Sequence, residues 1–409
     1  MSHPDIPASL LSRRSFLITA AAAALVAPAL DPSEAGAAAA HVPSRPVPLL
    51  LPEPTGRFPV GVLPLHLRDP SRPDPLVPGI PFRDFMISVW YPAHPGSGQP
   101  RTDWLPPAAC RTFLERNGLP LDLLAVPRTH GRIGARVLPA AAPYPVVIFS
   151  PGYGLDRGSA TVLVEDLVSH GYLVVTVDHP HDAGEVQFPD GHVVAIGLAD
   201  DTPDDDIRLV GLRMADVLFA LSRLSTVNAG RNPSVEGGSL PVGLTGALDL
   251  RRVAVIGHSL GGATAAHLLN DPRVRAGANL DGGIFGPPLW DRSDKPFLFF
   301  LGQGHDTILD PTLHDLWVRL HGFRAAVNLR DSGHLSFTDF QALIPQLAGP
   351  AGFTPEQVAG YIGTIAPAAS VRTVRAYLRS FLDLTLRHRD DGLLHRPSPR
   401  FPDAQLVTL

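Results

Sequence analysis

The sequence predicts an α/β fold: a mostly parallel sheet of eight strands with helices on both faces. Three observations carry that prediction. Short, continuously apolar runs alternate with amphipathic segments, the pattern of strands covered on both sides. The runs are punctuated by 44 prolines and 38 glycines, too many for a helical bundle. One run ends in a glycine-flanked serine and passes directly into an alanine-rich segment.

Taken in order, the strands are expected at residues 60–67, 85–90, 145–149, 172–177, 252–256, 276–280, 296–301 and 325–329. Pro64 lacks the N–H that a central strand needs, so it puts the first strand at a sheet edge. Helices are expected at 160–170, 205–224, 261–269, 311–320 and 371–386, the last presenting Val374, Tyr377, Leu378, Phe381 and Leu382 on one face. Residues 41–56 read as an extended lead-in, 93–143 as the main proline-rich insertion, and 348–369 as a second loop with a short amphipathic segment.

The chain has 409 residues, 44% of them hydrophobic and 18% charged, which suits one catalytic domain over residues 41–409. A net charge of −5 without any lysine- or arginine-rich run argues against nucleic acid as a partner and points to small substrates. Cys110 is the one cysteine, which excludes intramolecular disulfides and thiolate-rich metal sites. Nothing in the chain specifies an oligomeric state.

Residues 1–40 read as a twin-arginine export signal. Ser12-Arg13-Arg14-Ser15-Phe16-Leu17 precedes an apolar run over 18–30 and small residues over 35–40. That run is too short to be a stable membrane anchor, so an exported protein beginning near residues 38–41 is expected.

Gly257-His258-Ser259-Leu260-Gly261 is a G-x-S-x-G pentapeptide between an apolar strand and a helix. A serine on such a sharp turn is the nucleophile of the α/β-hydrolase fold. The bland alternative is a glycine-eased turn in which Ser259 caps the helix. A serine hydroxyl needs a histidine to remove its proton, and that histidine needs a carboxylate. His334 follows the last of the eight strands on a glycine-containing loop and fits as the base; His267, His305, His314 and His321 read better as packing or surface histidines. Asp281 and Asp306 each follow a strand and each lie between Ser259 and His334, so both are candidate acids. The oxyanion hole is expected from the N–H of Leu260 and that of Tyr153 in Ser150-Pro151-Gly152-Tyr153-Gly154, with Gly152 as the neighbouring possibility. His179-Pro180-His181-Asp182 has a metal-ligand look but no further ligand set, so no metal or other cofactor is expected.

Taken together these segments resemble the plasma-type platelet-activating factor acetylhydrolases and their bacterial relatives. The matching stretches are Val89-Trp90-Tyr91-Pro92, Phe149-Ser150-Pro151-Gly152-Tyr153-Gly154, Ser169-His170-Gly171-Tyr172, Val177-Asp178-His179, the serine elbow, Ala278-Asn279-Leu280-Asp281-Gly282 and His334-Leu335-Ser336-Phe337-Thr338-Asp339-Phe340. The resemblance implies metal-free hydrolysis of short or oxidised acyl esters, an oxyanion loop at Tyr153, and Asp281 rather than Asp306 as the acid. It departs from the family at Pro151, where histidine is frequent. Asp306-Thr307-Ile308 is similar to the acid segment of cutinase-like polyester hydrolases, an argument for the other aspartate.

The expected function is therefore a serine carboxylic-ester hydrolase acting on short-chain acyl or phospholipid-like esters. A polyester or triacylglycerol hydrolase of the same chemistry is the alternative, and a non-catalytic binding protein on this fold is the reading from another class.

Overall fold

The computed structural model of the protein describes residues 46–96, 98–197, 203–306 and 310–409. The proposed export segment lies outside them. Eleven strands form the main sheet: β1 Val60–Asp69, β2 Arg83–Pro92, β3 Arg101–Asp103, β4 Arg128–Ile133, β5 Tyr144–Ser150, β6 Leu173–Val177, β7 Leu248–His258, β8 Val274–Leu280, β9 Phe297–Leu301, β10 Arg324–Leu329 and β11 Ala404–Val407. Their spatial order is β11-β10-β9-β8-β7-β5-β6-β2-β1-β4-β3. The run from β10 to β6 is parallel throughout, and antiparallel pairing is confined to β1 with β2, β2 with β6, β3 with β4 and β10 with β11.

Side chains of the central strands point alternately to the two faces, and each face has its own core. In β5, Val146 and Ile148 join one cluster while Val147 and Phe149 join the other; in β7, Val253 and Val255 divide from Ala254 and Ile256 in the same way. Helix α3 (Pro203–Asn228) covers the first face through Val217, Ala220, Leu221 and Leu224. The second is covered by α2 (Thr161–Ser169) and α8 (Pro367–Arg387), the latter through Val374, Tyr377, Leu378, Phe381 and Leu382, the stripe read from the sequence. This double-sided burial explains why the strands are apolar without alternation. The architecture is the α/β-hydrolase fold.

The structure differs from the sequence reading at the margins. β1 is a full ten-residue strand paired with β2 along its length. On its other side it meets β4 only at Gly61 and Val62, so beyond Pro64 it is the edge that the proline demands, closed by the His66 N–H donating to Ser234 Oγ and the His66 carbonyl accepting the Val235 N–H. The insertion at 93–143 holds β3, β4 and α1 (Pro107–Arg116), whose Ala109, Cys110, Phe113 and Leu114 form one buried stripe. The second loop holds α7 (Pro355–Ile362), capped by Thr354. The two share a third core with the chain after β10, which carries α6 (Phe340–Leu347), and there Trp104, Phe113, Leu335, Phe340, Leu343 and Ile362 pack together.

Candidate active site

The strand ends of β7, β8 and β10 converge on Ser259, Asp281 and His334. Ser259 sits between β7 and α4 (Leu260–His267) at φ 53° and ψ −123°, a left-handed conformation that costs a non-glycine residue about 1–3 kcal/mol. The crowding around it shows why the pentapeptide needs glycine. A Cβ on Gly261 would lie 2.0 Å from the Ser150 carbonyl oxygen, so α4 can begin this close to β5 only without a side chain there.

Asp281, the residue after β8, also has positive φ, at 59°. Its backbone N–H donates to the Phe300 carbonyl, and Asn279 ties the turn that follows through bonds to the Gly282 N–H and C=O. The carboxylate is buried and accepts three hydrogen bonds. His334 Nδ1 donates to Oδ2 at 2.7 Å, while His305 Nδ1 and the Gly302 N–H donate to Oδ1 at 2.8 and 2.6 Å. Burial opposes the charge, but the two imidazoles outweigh it and hold the carboxyl well below the usual carboxylate range. An ionised carboxylate only accepts, so His334 carries its proton on Nδ1 and leaves Nε2 as the unprotonated nitrogen. That nitrogen is buried and has no hydrogen-bond partner. Asp306, the other candidate acid, is exposed one residue beyond His305.

His258 supports His334 from behind. Its Nε2 donates to the His334 carbonyl at 2.9 Å, and the ring centroids are 4.5 Å apart. Burial, and then His334, push the His258 pKa down to about 3, so the ring stays neutral.

The Ser150–Gly154 segment passes directly over the elbow: a Cβ on Gly152 would come within 3.2 Å of Ser259 Cβ. Tyr153 packs against a cluster that includes Leu209, Val210, Leu260 and Ala263, beside the start of α4. Arg213 of α3 organises this segment from below. Fully buried, it donates to the carbonyls of Pro151 and Gly152, and it pairs with Asp182, whose own carbonyl accepts the Gly154 N–H. With two loop carbonyls drawn toward the guanidinium, the intervening N–H groups are turned the other way. The ligand-like His179-Pro180-His181-Asp182 stretch is consumed in this understructure. Asp182 takes Arg213, and His179 bonds Ser150 Oγ and Asp216, itself paired with the buried Arg83.

The loop after β10 is anchored by Asp339, whose carboxylate accepts from the Thr161 and Val162 N–H groups at the start of α2 and from Trp104 Nε1 of the insertion, all at 2.8–2.9 Å. Among the remaining histidines, His267 is buried and donates to the Phe285 carbonyl, while His314 and His321 are exposed. His258, His305 and Arg213 were not singled out as site residues from sequence. The pentapeptide does mark position 258, since it adjoins the nucleophile.

A family model described as platelet-activating factor acetylhydrolase, isoform II, matches residues 50–390. A probable 1-alkyl-2-acetylglycerophosphocholine esterase of Arthroderma benhamiae is 27% identical over 398 residues, covering 90% of this chain and 96% of that protein. The platelet-activating factor acetylhydrolase of Cavia porcellus is 27% identical over 227 residues, 50% of this chain and 51% of its own length. A solved ferulic acid esterase from Streptomyces cinnamoneus superposes with a TM-score of 0.75 at 36% identity, covering 88% of this chain and 99% of that one. With the family model spanning most of its length, this chain is an ester hydrolase and belongs to the platelet-activating factor acetylhydrolase, isoform II, family.

Proposed function

We propose that the protein is an exported serine esterase in which Ser259, His334 and Asp281 act as nucleophile, base and acid. The observation that carries this reading is the 2.7 Å bond between His334 Nδ1 and Asp281, which leaves Nε2 without a partner on a ring 4.5 Å from that of His258, the residue before the strained Ser259. Ser259 Oγ attacks the ester carbonyl as Nε2 takes its proton. The resulting oxyanion is met by the N–H groups of Leu260, at the start of α4, and Tyr153. Collapse expels the alcohol, which receives the proton from His334, and leaves an acyl-enzyme on Ser259. Water then attacks, again deprotonated by His334, and the acid is released. The mature catalytic chain is read as one domain from about residue 41.

Short-chain acyl or phospholipid-like esters are the proposed substrates, supported by the 2-acetyl ester in the name of the Arthroderma relative. A second reading, an aromatic acyl ester, is favoured by the solved ferulic acid esterase. The test is Ser259→Ala: esterase turnover should fall by about 10⁶, with labelling by a fluorophosphonate abolished and the fold intact. Retained turnover overturns the assignment. Among substrates, acetyl and butyryl p-nitrophenyl esters should be turned over faster than long-chain ones. Methyl ferulate preferred over both supports the aromatic reading, and a steady rise toward long chains a lipase.

A further inference from the structure

We propose that His305 is a positioning residue of the catalytic array, an imidazolium bracketed by Asp281 and Asp310 that fixes the acid against His334. This rests on the triad reading above.

The argument begins with the protons. Asp281 Oδ1 accepts from His305 Nδ1 at 2.8 Å, so that nitrogen bears hydrogen. The opposite nitrogen, Nε2, is buried and faces Asp310 Oδ2 at 3.6 Å, an ion-pair distance that favours a proton there as well. Both nitrogens protonated make a cation. Burial works against that charge, but Asp281 and Asp310 outweigh it and hold the His305 pKa up at about 10.

The flanking acid is itself fixed. Asp310 caps α5 (Pro311–Arg319) by accepting from the Thr312 N–H and hydroxyl, and the Thr312 hydroxyl oxygen accepts the Ile284 N–H at 3.0 Å. A closed circuit thus joins the turn after β8, the loop after β9 and the start of α5 around the acid. The charged or titratable groups facing His305 are Asp281 from the turn after β8 and Asp310 from α5. His334 lies across Asp281 with His258 behind it, and Asp306, next in the chain, is exposed.

A triad acid usually faces its histidine as a net negative charge, which favours the protonated base. Here a cation on the second carboxylate oxygen offsets part of that field. The acid limb of the rate profile is where that offset should be read.

The experiment is the pH dependence of kcat/KM on p-nitrophenyl acetate, with melting temperatures measured alongside. His305→Gln retains a donor for Asp281 but loses the charge, so the acid limb should move up by about one pH unit. Asp310→Asn keeps a capping side chain, removes a negative charge from the far side, and should move the same limb down. A merely structural role lowers stability or plateau rate without displacing the limb. An unmoved limb in folded His305→Gln overturns the proposal. If that variant does not fold, an unmoved or raised limb in Asp310→Asn does so. Asp281→Asn separates the two readings: if it is folded and fully active, the triad assignment fails, whereas an inactive Asp281→Asn with unmoved limbs in the other variants removes only the role of His305.

Discussion

His258 Nε2 donates to the backbone carbonyl of His334, so the residue preceding Ser259 holds the main chain of the proposed base. Replacing His258 by alanine should release that carbonyl and open the space against which the His334 ring is tilted. A fall of about 10- to 100-fold in kcat is expected, equivalent to one lost buried hydrogen bond and some loss of orientation. KM should change little. Because burial pushes the His258 pKa down to about 3, this ring should contribute no limb to the rate profile near neutrality.

Asp281 and Asp306 can be separated by a matched pair of variants. Asp281→Asn removes the acceptor that sets the His334 tautomer and should cost about 10⁴ in kcat. Asp306→Asn, at an exposed site, should cost far less. Circular dichroism and melting temperatures must match, because a buried aspartate can abolish activity by unfolding the chain. A folded, inactive Asp306→Asn would transfer the role of acid to Asp306.

Arg213→Lys tests the clamp beneath the oxyanion segment. The charge opposite Asp182 is kept, but one ammonium cannot reproduce a planar fork shared among Asp182, Pro151 and Gly152. The expected result is a kcat reduced by about 10- to 100-fold with a smaller change in KM, the signature of lost transition-state binding. Unchanged kcat would show that the segment keeps its shape without the fork.

The ion pairs of His305 also make stability depend on pH. Its folded pKa, about 10, lies above the ordinary 6.5, so its contribution is fully present below about pH 6.5 and is lost as pH rises toward 10. The difference in melting temperature between wild type and His305→Gln should therefore be constant from pH 5 to about 6.5 and shrink through alkaline pH. A difference that grows with pH would contradict the charge state.

The fold was legible because parallel strands buried on both faces appear as uninterrupted apolar runs; all eight expected strands are present at the expected places. The three missed sheet strands, β3, β4 and β11, span three, six and four residues, and mix charged or polar side chains into their runs. Ser259 and His334 stood out through their local motifs. Asp281 and Asp306 did not separate, because each follows a strand and distance along the chain says nothing of which one faces the base. His305 was hidden for a related reason. Beside Asp306 in sequence it looks like a surface ion pair, whereas its ring reaches Asp281 on the neighbouring strand end. Arg213 gave no signal at all, being one arginine in a long amphipathic helix whose partners are two backbone carbonyls more than 60 positions away and the carboxylate of Asp182, 31 positions away.

The Asp339 carboxylate has a consequence for how specificity evolves in such a chain. It is shared by Trp104 of the insertion, the first turn of α2 and the loop that bears His334. The insertion is consequently not an independent cassette. Exchanging residues 93–143 for a stretch that lacks the indole would remove a donor from a fully buried carboxyl group and loosen the loop that bears His334, whatever the new segment did for substrate fit. Grafts designed to change substrate range should therefore keep Trp104 as their fixed point.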